Sequence, residues 1–277
     1  MSVPDLDQLL AEGVRGRRIF VRADLNVPLA NGAISDDTRV RASLPTLRRL
    51  LDGGARVAVA SHLGRPKGER KPELTLRPVA PRLASLLGLG VSFCEDCIGD
   101  RVTDAVDELG DGQLLLLENL RFHAGETKND PDFAAALAAP FEDYVNDAFG
   151  TAHRAHASTA GIVGRVKRAV AGDLLKGELE HLQVVRDPER PLLAIVGGAK
   201  VSSKLGVLEA LGTHADVLCI GGAMAYTFLR AQGLPVGSSL VEEDHLGDAA
   251  RVVESAAAAG RRVLLPHDHL VAKSVEE

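Results

Sequence analysis

The sequence predicts an α/β protein made of two doubly wound parallel-sheet domains, the second incomplete. Three observations carry that expectation. Five apolar runs empty directly into Arg, His, Asn, Lys or Gly: IFVRADLNVP, VAVASHLGRP, LLLLENLRFH, DYVNDAFGTAHRAH and LLAIVGGAK. Such runs alternate with segments of helical periodicity, the pattern of parallel strands joined by crossover helices. The length, 277 residues, exceeds the roughly 250 residues at which a single core usually stops growing, so two cores are expected.

The elements follow in order. Ile19 to Pro28 reads as a buried strand that finishes at or before Pro28, which has no N–H for a ladder hydrogen bond. Its polar residues then gather at the carboxyl end, where open α/β sheets bind ligands. A turn at Asn31-Gly32 precedes a helix over Asp36 to Leu51, which Gly53-Gly54 ends. Arg56 to Ala60 is the next strand and Ser61 to Pro66 its loop. Helices over Leu76 to Leu87, Val102 to Leu109 and Phe133 to Ala139 are expected to alternate with strands at Val91 to Phe93, Leu114 to Leu117 and Tyr144-Val145.

LLKGELEHLQVV, Leu174 to Val185, reads as one amphipathic helix, followed by a polar, proline-bounded break from Arg186 to Pro191. The expected division is a first domain over residues 1–172, a helix and linker over 173–190, and a second domain over 191–277. In the second, strands at Leu192 to Val196, Val217 to Ile220 and Val263 to Leu265 alternate with helices at Val201 to Leu211, Met224 to Arg230 and near Ala249 to Ala259. A doubly wound nucleotide-binding sheet usually has about six strands. On that measure the second domain is unfinished when the sequence stops at Val275-Glu276-Glu277.

Composition narrows the function classes. A net charge of −6 does not favour nucleic acid as a partner, although local basic clusters can still hold a small anion. No window approaches the roughly 20 apolar residues of a membrane span, and MSVPDLDQLL lacks the basic and apolar regions of a signal peptide. We expect a cytoplasmic monomer without membrane or nucleic-acid partners. Three cysteines give no disulfide framework. Cys94 and Cys97 form a CxxC, but no second Cys or His pair stands at metal-ligand spacing, so they are read as two small half-buried residues and no protein metal ligand is expected.

If the loops of the first half share one sheet edge, Arg22, Arg39, Arg65, Arg121 and Arg154 crowd one cleft with His62, His123, His153 and His156. Arginine is a permanently charged planar fork, and several left unpaired together call for an anion. Asp24 and Asn26 are suited to holding hydroxyls. A single arginine after a strand is more often solvated or salt-bridged, so the recurrence is what counts. Of the histidines, His62 and His153 are the expected ligand contacts. In the second half, a strand running into Gly197-Gly198-Ala199-Lys200 and then a helix supplies close backbone approach, free helix N–H groups and charge, with Lys204 one turn on along the same helical face. Neither GxxxxGK[ST] nor GxGxxG is satisfied, which disfavours a dinucleotide-dependent oxidoreductase.

Taken in order, VRADLNVP, SHLGRP, ENLRFH, VNDAFGTAHRAH, AIVGGAKVSSK and IGGAMAYTFL closely resemble the phosphoglycerate kinase family over the whole chain. The resemblance implies two Rossmann-like domains facing each other across a cleft. The first would take 3-phosphoglycerate or 1,3-bisphosphoglycerate and the second Mg-ADP or Mg-ATP, with reversible phosphoryl transfer between them as in glycolysis. Arg22, Asp24, Asn26, Arg39, His62, Arg65, Arg121 and Arg154 would meet the substrate. Gly198, Ala199, Lys200, Lys204, Gly221 and Gly222 would line the nucleotide side, and Arg39 and Lys204 would meet the phosphoryl group in flight. A carboxylate acceptor is already ionised at neutral pH, so no general base is needed. Ala223 stands where the family commonly has a third glycine, a methyl group expected to be tolerated. The family's magnesium aspartate lies beyond residue 277, so the resemblance also implies a truncated chain. Such a chain could be an anion-binding module without turnover.

Overall fold

The computed structural model describes residues 3–30, 32–270 and 272; Asn31 of the expected turn and the final residues 275–277 lie outside the described residues. The chain forms two compact units, one ending at His181 and one beginning at Leu182.

In the first unit the order is α1 (Leu6–Ala11), β1 (Arg18–Ala23), a hairpin of β2 (Leu29–Ala30) and β3 (Ala33–Ile34), α2 (Thr38–Asp52), β4 (Arg56–Ala60), α3 (Val79–Leu87), β5 (Val91–Cys94) and α4 (Asp100–Asp107). There follow β6 (Leu114–Leu117), α5 (Ala124–Lys128), α6 (Pro131–Ala138), β7 (Asp143–Asp147), α7 (Phe149–Ala152), β8 (Arg168–Ala171) and α8 (Asp173–Arg186), within which the division falls. The six-stranded sheet has the order β5-β6-β4-β1-β7-β8 and is parallel throughout.

Strand alternation explains why both faces are covered. Ile19 and Val21 of β1 join Val57, Val59, Leu114 and Leu116 in one apolar cluster with Val40, Leu47 and Leu50 of α2 and Val79 and Leu83 of α3. Phe20, one residue out of step, joins Ala58, Leu115 and Leu117 on the opposite face with Val102 and Val106 of α4 and Phe133 and Leu137 of α6. Successive side chains point to opposite faces, so strands buried on both sides must be apolar at every position, as LLLL of β6 is. The topology reverses at β1: the chain passes to β4, out to β5 at the edge and back to β6 between them, and then returns to lay β7 on the other side of β1. That switch point opens a crevice at the carboxyl ends of the strands.

The second unit contains β9 (Leu193–Gly197), α9 (Leu205–His214), β10 (Val217–Gly221), α10 (Met224–Ala231), α11 (Leu246–Ala258) and β11 (Arg262–Leu264), with a parallel sheet ordered β11-β10-β9. Val201, Leu208, Leu218, Ile220, Met224, Phe228 and Val252 form its core. Along β9 the apolar residues alternate between half-buried and exposed, so one face of this sheet is open among the described residues.

The opening strand ends at Ala23, before Pro28 as expected, and Asp24, Leu25 and Asn26 belong to the loop. One expectation is corrected. The helix after Gly197–Lys200 starts at Leu205, not Val201, because Val201 to Lys204 forms a separate turn closed by the Lys204 amide donating to the Val201 carbonyl at 2.9 Å. The short α1 and β8 had no distinct pattern in the sequence and were not expected.

Candidate functional site

The carboxyl edge of the six-stranded sheet gathers the polar loops. After β1 come Asp24 and Asn26, after β4 His62 and Arg65, after β6 Arg121, and after β7 Arg154, while Arg39 stands in the first turn of α2. These side chains, with Gly64, Gly150 and Thr151, line a recess of about 250 Å³. Seven of the eight residues expected to meet substrate thus come together.

The eighth, Arg22, does not line the recess. It is fully buried, with Nε donating to Ser158 Oγ at 2.9 Å, Nη2 to His62 Nδ1 at 3.2 Å, and Nη1 to the Ala23 carbonyl. Its position explains this: one residue before the end of β1, it still points into the sheet layer. Arg22 is therefore a support behind the recess. Its charge is balanced through Ser158 by Glu126, a buried carboxylate that accepts from Ser158 Oγ at 2.6 Å and Ser158 N at 3.0 Å. Burial pushes the Glu126 carboxyl up, yet the neighbouring His156 ring, 3.7 Å away, the nearby Arg22 and the hydrogen bonds from Ser158 together hold it below its ordinary value.

The loops are tied to one another before any ligand arrives. Asn119, buried, accepts from Leu63 N at 3.1 Å and donates to the carbonyls of Leu63 at 2.8 Å and Leu74 at 2.9 Å. Ser61 Oγ accepts from Leu25 N at 2.8 Å, and Asn26 Oδ1 accepts from Gly64 N at 2.9 Å, leaving the Asn26 amide to donate. Asn119, Glu126 and Ser158 were missed from sequence. Asn119 lies in ENLRFH two residues before Arg121, and no local signal marks the other two.

Four arginines and one carboxylate, Asp24, line the recess. Asp24 is paired with Arg39. Among the described residues Arg65, Arg121 and Arg154 form no ion pair. Arg121 Nη1 donates to the Gly64 carbonyl at 2.9 Å, while its buried Nε has no partner. Burial and then the positive charges of Arg154 and Arg22 lower the Arg121 pKa, the electrostatic mark of crowded like charge. His62 is pulled down to about 2 by burial and by Arg22, Arg121 and Arg154, so its ring is neutral. Arg22 can only donate, so Nδ1 is the acceptor and the proton lies on Nε2. His153 is exposed beside Arg154, with its Nε2 3.4 Å from Arg154 Nε, and does not line the recess. The arrangement suits a small, multiply charged anion bearing hydroxyls.

In the second unit the two glycine pairs lie side by side, because Gly197 is in register with Gly221 at the ends of β9 and β10. Met224 N donates to the Gly198 carbonyl at 2.9 Å. Gly222 has φ +69°, and a Cβ there would lie 2.8 Å from Gly198 N and O, so only glycine allows this approach. Lys204 reaches back over Gly198, its Nζ 3.0 Å from where a Cβ on that glycine would stand. It arrives from the residue before α9 and not along a shared helical face with Lys200, which is exposed. Ala223 has ordinary right-handed helical geometry ahead of α10, so its methyl group imposes no backbone strain.

The family profile Phosphoglycerate kinase matches residues 8–277. The chain is 55% identical over 277 residues to phosphoglycerate kinase of Rubrobacter xylanophilus, covering all of this chain and 68% of that protein. It is 54% identical over 275 residues to that of Acaryochloris marina, covering 98% and 68% respectively. Among solved structures, phosphoglycerate kinase from Coxiella burnetii superposes with a TM-score of 0.86 at 39% identity, over 96% of this chain and 66% of that one. The chain thus spans about two thirds of the length of these relatives.

Proposed function

The chain belongs to the phosphoglycerate kinase family, and on that premise we propose that the recess of the first unit binds 3-phosphoglycerate, or its 1,3-bisphosphate, for phosphoryl exchange with ADP and ATP. The observation that carries this reading is the convergence of Arg39, Arg65, Arg121 and Arg154 with a single carboxylate around about 250 Å³. A binding module without turnover is not favoured by a match to a family of phosphotransferases.

In this reading the arginine forks hold the substrate's phosphate and carboxylate, and Asn26 and neutral His62 donate to oxygens without adding charge. Arg39, already held by Asp24, is preorganised to meet charge that develops on the transferred group. The glycine edge of the second unit allows phosphates close to the backbone, with Lys204 as a point charge above Gly198 and Lys200 nearby in sequence. Phosphoryl transfer needs positioning and charge neutralisation and no covalent participation by the protein. Magnesium, when bound to the nucleotide, would neutralise phosphate charge. Gly197 to Lys200 and Gly221 to Ala223 include no carboxylate, so these residues fit the phosphates and not the metal. We further take the protein to be a cytoplasmic monomer of small-molecule metabolism; no described helix is long and apolar enough to cross a membrane.

Calorimetric titration of this chain tests the reading. It should bind 3-phosphoglycerate more tightly than glycerol 3-phosphate, because only the former also brings a carboxylate to the arginines. Equal affinities would remove the assignment.

A further inference from the structure

Away from the recess, three different metal-ligating groups meet between two loops. A carboxylate oxygen of Asp96, Cys97 Sγ and a ring nitrogen of His123 lie within 4.8 Å of one another. Asp96 and Cys97 come from the loop between β5 and α4, and His123 closes the short 3-10 turn Leu120–Phe122 that carries Arg121. The motif noticed in the sequence, Cys94 with Cys97, is not the cluster: the Cys94 thiol instead faces the Arg101 carbonyl at 3.9 Å.

We propose that Asp96, Cys97 and His123 bind a thiophilic divalent cation of the zinc class. One thiolate, one imidazole and one carboxylate form the donor set that suits such an ion, with water as the fourth ligand. Ligands at about 2.0–2.3 Å from a tetrahedral ion stand roughly 3.3–3.6 Å apart. The His123–Asp96 pair, now at 2.7 Å, has to open by a fraction of an ångström, and Cys97 Sγ, within 4.8 Å of both, has to move inward by up to roughly 1.3 Å. The Asp96 and His123 positions are held beforehand. Asp96 Oδ1 also accepts from Cys97 N at 2.7 Å, the Asp96 carbonyl accepts from Glu118 N at 3.4 Å, and the His123 ring packs on Phe133 with centroids 5.3 Å apart. Asp96 and His123 are half-buried, so an ion and its water can enter, while the buried Cys97 closes the inner side. An ion here would pin the Arg121 turn to the β5–α4 loop, a restraint independent of what the recess binds.

Cobalt(II) titration of the purified, reduced protein, followed by absorbance, tests this. One equivalent should give a thiolate-to-cobalt charge-transfer band that zinc bleaches. Cys97→Ser should abolish the band and Cys94→Ser should leave it. Asp96→Asn and His123→Gln should each weaken cobalt affinity by about tenfold or more. Absence of the band in the wild-type protein with cobalt in excess, or its persistence in Cys97→Ser, would overturn the proposal.

Discussion

Single residues in the recess differ in what already holds them. Arg65 is exposed and forms no ion pair among the described residues, so on the proposed reading its guanidinium is open to the substrate's own phosphate, which keeps its charge throughout the reaction. Arg65→Ala should weaken 3-phosphoglycerate binding by about 1.5–3 kcal/mol, the scale of a hydrogen bond to a charged group. Arg39 is held by Asp24 and, on the proposed mechanism, acts when charge develops. In the chain extended to the full length of its relatives, Arg39→Ala should lower kcat by roughly a hundredfold with a smaller change in KM, and Arg39→Lys should restore only part, a point charge replacing a fork. Steady-state kinetics with normal kcat and raised KM for Arg39→Ala would contradict that division. His62 supplies a pH test. A histidine titrating at its ordinary value would gain charge as pH falls and tighten anion binding, but one pulled down to about 2 stays neutral throughout. The affinity ratio between wild type and His62→Gln should therefore stay constant from about pH 5 to about pH 8. A ratio rising below pH 6.5, measured calorimetrically, would show that His62 titrates. Most of this was legible from residue type and position after a strand. Arg22 was not, because one residue decides whether a side chain leaves the sheet edge or stays within the buried layer.

Among the elements, α8 carries the chain from one unit to the next, and its start is fixed by a buried carboxylate. Asp147, at the end of β7, accepts from Leu174 N at 2.9 Å through Oδ1, while its Oδ2 is buried without a partner. Gly172 leaves the space this requires, since a Cβ there would fall 2.2 Å from Asp147 Oδ1. Burial outweighs the hydrogen bonds and raises the Asp147 pKa from 3.8 to about 6. The folded state then keeps a proton that the unfolded chain gives up between those values. Folding stability attributable to Asp147 is full below pH 3.8 and is lost as pH rises toward 6. The stability of wild type relative to Asp147→Asn should accordingly fall between pH 4 and 6 in urea denaturation. A constant or rising difference would show that the Asp147 pKa is not raised by folding. Strands were the easily read elements, since a short apolar run such as Leu114 to Leu117 between turn residues fits a strand buried on both faces. Helix starts were harder. The Val201–Lys204 turn has the composition of a first helical turn, and the Ser202 side chain pairing with Glu242 at 2.7 Å, a contact 40 residues away, accompanies its departure from the helix.

For the whole molecule, the sequence order of the polar loops was enough to place them on one edge, because parallel connections return every strand in the same direction. Convergence into one recess was not legible. It depends on the order β5-β6-β4-β1-β7-β8, which brings β7 back beside β1 and so sets Arg154 near Arg65 and Arg121. The most direct test of the central claim, that these loops form a site for a phosphorylated carboxylate, is a crystal structure of this chain with 3-phosphoglycerate. The account predicts the ligand within the recess, with its phosphate and carboxylate among Arg39, Arg65, Arg121 and Arg154 and a hydroxyl near Asp24 or Asn26. A ligand bound elsewhere on the chain, or in the recess without contact to those arginines, would contradict it.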